Sequence, residues 1–134
     1  MGSNVFKIKN LHLAFASFIG MVVGLAYGIN PTRIMSFFFD FNVESVDLSH
    51  LLRAIMGLYL ALGVYWIMGI FKSEHWRGAT ITCTIFMGGL AVGRMISLII
   101  DGIPSITFSI GMILEIVFMI LGIINLKKET HDLN

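Results

Sequence analysis

The sequence predicts an all-α integral membrane protein: one domain built as a bundle of four transmembrane helices, with both termini on the cytoplasmic side. Three observations lead there. Hydrophobic residues make up 57% of the 134 positions and charged residues 13%, more apolar surface than a soluble domain of this size can hide. The apolar residues gather into four runs, each near the 20 or so helical residues that a hydrocarbon core about 30 Å thick requires. Lysine and arginine then fall mostly in segments that share one side.

The first span is expected over residues 13–29, stopped by Asn30-Pro31. Lys7 and Lys9 precede it, and Ala26-Tyr27-Gly28 resembles a cleavage site. The apolar stretch is long, however, so it is taken as a retained helix. The second span covers 51–71, with Asp47, Ser49 and His50 before it as capping residues. The third covers 79–100 and ends at the turn Asp101-Gly102-Ile103-Pro104-Ser105, and the fourth covers 106–126. One side carries Lys7, Lys9, Lys72, Arg77, Lys127 and Lys128, and the other carries Arg33, Arg53 and Arg94. The basic side is the cytoplasmic one, which suits a bacterial inner membrane.

The outer connection, 30–50, is acidic at Asp40, Glu44 and Asp47 and aromatic at Phe37, Phe38, Phe39 and Phe41. It reads either as a short segment anchored in the interface or as a lid over a pocket that opens outward. Small residues recur every four positions at Gly20, Gly24 and Gly28, at Gly57 and Ala61, and at Gly89 and Gly93. Such stripes let helix backbones approach closely, within one bundle or between two copies.

Charge inside a span costs roughly 2.5–3.5 kcal/mol at mid-membrane on insertion scales. Arg53, Arg94 and Glu115 are the charges of this kind. At about 1.5 Å of rise per residue they lie about 7, 9 and 15 Å below the outer surface. Helical side chains lean toward their own N-terminus, so Arg94 and Glu115, on antiparallel neighbours, converge in depth. Gly111, one turn before Glu115, leaves room opposite Arg94, and an Arg94–Glu115 ion pair is expected. Arg94, Ser97 and Asp101 form one helical stripe, and His50, Arg53, Gly57 and Ala61 form another. Two arginines around one carboxylate leave a positive surplus for Asp101 or a bound anion to neutralise. A network that fixes helix register, a site for an anionic lipid-like or quinone-like ligand, and a proton or ion relay through Glu115 all remain open.

The segments Leu52-Arg53-Ala54-Ile55-Met56-Gly57, Gly93-Arg94-Met95-Ile96-Ser97 and Asp101-Gly102-Ile103-Pro104, with the late Glu115, resemble the bacterial DUF4345 family of unknown function. The resemblance runs over about residues 48–126. It implies a small four-helix membrane protein, distantly reminiscent of the DoxX type. It places Arg53, Arg94, Ser97, Asp101 and Glu115 at the family's polar motif positions and implies no activity.

Other classes find no support. The single Cys83 excludes an intrachain disulfide, and the four histidines lie at no metal-ligand spacing. A net charge of +1 gives no field for nucleic acid. There is no phosphate-binding glycine loop, nucleophile elbow or His-Glu-x-x-His. The sequence identifies no catalytic residue, metal or cofactor. The expected function is a small binding or accessory protein in the lipid bilayer, with His50 and Tyr59 beside the ionic site. A homo-oligomer or a partner membrane protein is in view. The alternatives are an oligomeric transporter or channel that titrates Glu115, or a membrane-embedded lipid-modifying enzyme with His50, Tyr59 or Asp101 as a second acid or base.

Overall fold

The computed structural model describes residues 8–132 and is all helical. Its elements are α1 (Ile8–Gly28), α2 (Pro31–Phe38), α3 (Val46–Phe71), α4 (Ser73–Ile100) and α5 (Ile106–Asp132). The four long helices are each long and apolar enough to cross a membrane, the proportions of a multi-pass membrane protein. Their outer surfaces are apolar as lipid contact demands, with Phe15, Phe18, Ile85 and Ile99 among the exposed side chains.

The long helices begin or end up to six residues beyond the predicted spans, because polar residues at their ends continue the backbone ladder. The capping of α3 differs from expectation. Asp47, Ser49 and His50 lie inside the helix, and the N-cap is Ser45, whose Oγ accepts from the Leu48 amide at 3.0 Å. The fifth helix, α2, lies in the aromatic connection. Asn30 caps it by accepting from the Arg33 amide, and Pro31 occupies its first turn, where no N–H is needed. Asp40 then turns the chain through a left-handed conformation at φ 58°, which aspartate tolerates better than most residues.

Successive long helices run antiparallel. Gly20, Gly24 and Gly28 of α1 meet Trp66, Tyr59 and Met56 of α3 in turn. A Cβ on Gly24 would fall 2.6 Å from the Tyr59 Cβ, so glycine there permits the close approach. Gly122 of α5 packs on Thr84 and Gly88 of α4 on Met119, again in opposite directions. A single residue, Lys72, separates α3 from α4. Gly69 packs against Ala79 beside that turn, and Trp66 Nε1 donates to Thr82 Oγ1 at 3.3 Å.

Polar groups collect at the end of the molecule that holds this turn, the start of α1 and the end of α5. His12 Nδ1 lies 2.8 Å from both the Lys9 carbonyl oxygen and the Asn125 amide nitrogen. Its ring meets Trp76 edge to face, and Lys9 Nζ sits 4.5 Å from the Trp76 ring centroid. Arg77 and Glu129 pair at 3.1 Å across α4 and α5. Lys9, Lys72, Arg77, Lys127 and Lys128 gather at this end. Lys7 lies outside the described residues.

Candidate functional site

At the opposite end, α4 supplies Arg94 and α5 supplies Glu115. Arg94 Nε donates to both carboxylate oxygens, at 2.9 Å to Oε1 and 2.8 Å to Oε2. The glutamate is 6% exposed. Gly111 faces Arg94 as expected, but a Cβ there would stand 3.9 Å from Arg94 Nη2, an ordinary contact, so the pair does not depend on a glycine at this position. The Arg94 guanidinium carbon also lies 5.3 Å from the Phe108 ring centroid, near enough for a cation–π contribution. Tyr27 approaches the same guanidinium from α1.

An aromatic chain runs over and beside the pair. Phe39 and Phe41, from the connection after α2, stand 4.9 and 6.3 Å from Phe108 by ring centroid. Phe39 packs on Tyr27, Tyr27 on Tyr59, and Tyr59 edge-on against Phe86. Thr107 Oγ1 donates to the Phe38 carbonyl at 2.8 Å, tying the end of α2 to the start of α5. Phe37 and Phe38 point outward and are exposed. The connection thus divides its phenylalanines between the surface and the site.

Two spaces meet at Arg94. One is a cavity of about 100 Å³ lined by Tyr27, Phe39, Tyr59, Arg94, Glu115 and Phe118, among others. The other is a groove of about 600 Å³ between α3 and α4, reaching the α4–α5 turn. Its wall includes Ile55, Leu58, Tyr59, Gly89, Gly93, Arg94, Ser97 and Asp101. The helices diverge here: a Cβ added to Gly89 or Gly93 would meet nothing within 4 Å, and one on Gly57, on the exposed side of α3, would meet nothing either. Two of the three small-residue stripes therefore do not serve packing within this chain. Gly89 and Gly93 form the bare floor of the groove, whereas Gly20, Gly24 and Gly28 hold α1 to α3.

Of the residues expected to meet, Tyr59, Arg94, Ser97 and Asp101 line the groove, and Glu115 is joined to Arg94. His50 and Arg53 do not join them. Leu52, Tyr59, Gly63 and Trp66 turn the buried side of α3 inward, and the 100° step per residue carries His50, Arg53, Gly57 and Ala61 to exposed positions. The expected positive surplus is therefore absent: one arginine faces one glutamate, with Asp101 exposed at the mouth. Tyr27, Phe39 and Phe108 were not anticipated as site residues. Tyr27 shares a helical face with Gly20 and Gly24, and Phe108 lies one and two turns before Gly111 and Glu115. Those spacings carried the signal. Among the described residues no group of three or more His, Cys, Asp or Glu side chains is placed to hold a metal ion.

No curated protein and no solved structure matches the chain. One family model does, over residues 8–126. The match includes α1 and α2, which the motifs of residues 48–126 had left outside the resemblance. The chain accordingly belongs to the family described as a domain of unknown function, DUF4345.

Proposed function

We propose that the chain is a small membrane binding protein that holds the head of a lipid-like molecule in the α3–α4 groove. In this reading it spans a bacterial inner membrane four times. The basic end faces the cytoplasm, by the excess of Lys and Arg there, and the groove opens in the outer leaflet. The observation that carries the reading is the position of Arg94. Its Nε is engaged by Glu115 while the side chain lines a groove of about 600 Å³ with a glycine floor and largely apolar walls. A costly intramembrane charge beside a space of that size is what a ligand site in a bilayer requires.

Native mass spectrometry of the gently solubilised protein tests it. Wild type is expected to retain a non-protein mass, and Gly93→Phe, which fills the groove, is expected to lose it. A wild type with nothing attached, or equal retention by Gly93→Phe, would overturn the proposal.

A second reading, an oligomeric transporter or channel, draws on a different face. Arg53, Gly57 and Ala61 are exposed along one stripe of α3, where small residues favour contact with another helix. Cross-linking of a cysteine placed at position 61 would separate the two readings. Dimer formation there supports an assembly, and a monomer leaves the single-chain site.

A further inference from the structure

Resting on that binding reading, we infer that the head held in the groove is uncharged overall and carries a carbonyl with hydroxyl groups beyond it, as in an acylglycerol lipid. Arg94 is already balanced. Its Nε donates to both Glu115 oxygens at 2.8 and 2.9 Å, so the guanidinium offers the groove N–H donors without offering unmatched charge. Among the described residues no second cation lines the groove, and Arg53 is exposed on another face of α3. The other charged side chain of the lining is Asp101, nearer the mouth. An anionic head would meet a neutralised arginine and a like charge.

Along one stripe of α4 the wall changes in character. Arg94 donates, the Ser97 hydroxyl donates or accepts, and Asp101 accepts, over about 10 Å of helix. The complementary ligand places an acceptor at the Arg94 level and donors toward Asp101. A monoacylglycerol has that order, with its ester carbonyl nearest the chain and its hydroxyls at the tip. Its chain would then run away from the mouth, over Gly93 and Gly89, where no Cβ obstructs it.

The test titrates the detergent-solubilised full chain with monoolein, oleate and a decyl-substituted benzoquinone, reading bound mass by native mass spectrometry. Monoolein and oleate share a chain and differ in head charge. Monoolein is expected to bind at least roughly tenfold more tightly than oleate, a difference of about 1.4 kcal/mol. Asp101→Asn is expected to weaken monoolein roughly threefold to tenfold, and Gly93→Phe or Gly89→Leu to abolish its binding. Equal or tighter binding of oleate overturns the inference. So does a quinone that binds more tightly than monoolein and ignores Asp101→Asn. In either case the groove remains a ligand site as long as the blocking variants lose the mass. If wild type binds none of the three, or the blocking variants bind as wild type does, the inference and the binding reading fail together.

Discussion

The two ends of the molecule handle buried polar groups in opposite ways. At the basic end, His12, Asn125 and Trp76 are neutral groups or weak bases packed among α1, α4 and α5, and His12 is almost fully buried. At the other end a full ion pair lies on the wall between a small cavity and an open groove. Both lie within apolar helices, and the second adjoins a cavity and a groove. A neutral contact such as that between His12 and Asn125 can be retained because it joins α1 to α5. A charged pair is a costly means to that end, since an apolar pair of similar volume often serves as well. The cost becomes intelligible where the charge has something to touch.

Breaking the ion pair gives the largest expected effect. Glu115→Gln leaves Arg94 without its counter-charge and should lower stability by about 3–5 kcal/mol if the site behaves like a soluble core, less if lipid or water relieves it. Thermal melting in detergent measures this, and an unchanged Tm would show that the pair is not what holds α4 to α5. The double variant Arg94→Leu/Glu115→Leu sharpens the comparison. It should recover most of the Tm while losing the bound mass, separating stability from binding.

Next comes Gly24→Ala, which drives a methyl group against Tyr59 and should cost about 1–3 kcal/mol. Because Tyr59 lines both spaces, the groove should also lose ligand. Retention of ligand together with lower stability would show that α1 packing and the groove are independent. Asn125→Leu, at the basic end, should cost about 0.6 kcal/mol and no more than about 1.7, the mean and upper value for hydrogen bonds between membrane helices, and leave ligand binding unchanged. Arg53→Gln should be smallest, within about 0.5 kcal/mol, since the side chain is exposed and away from the groove. A large effect there, read by melting or by oligomer mass, would favour the assembly built on α3.

Much of this was legible in the chain, and the limits have physical causes. Span number follows from composition because a bilayer admits few solutions. The Arg94–Glu115 pair follows from rise per residue, side-chain lean and a short turn. The glycine of that turn was equally readable: Gly102 adopts φ 96°, where a Cβ is strained. The rotation of α3 was not legible. A helix apolar on nearly every face gives little directional pattern, so Arg53 looked as able to face Glu115 as lipid. The same ambiguity hid the role of Gly89 and Gly93, because spacing shows that a face is smooth and not whether another helix lies on it. The aromatic roof was half legible. The run of phenylalanines is plain, but its split between Phe37 and Phe38 outside and Phe39 and Phe41 inside depends on the turn at Asp40.

The hairpin of α3 and α4 has a mechanical consequence. It is pinned at Lys72 and packed as far as Tyr59 and Phe86, after which its arms part. From Phe86 to Asp101 this arm of α4 is about 22 Å long, so each degree of tilt moves its tip about 0.4 Å. Across that span α4 is held by the burial of Met87 and Ala91 and, on the α5 side, by the join between Arg94 and Glu115. The ion pair is then a strut as well as a charge: shortening or removing it would change how wide the groove opens.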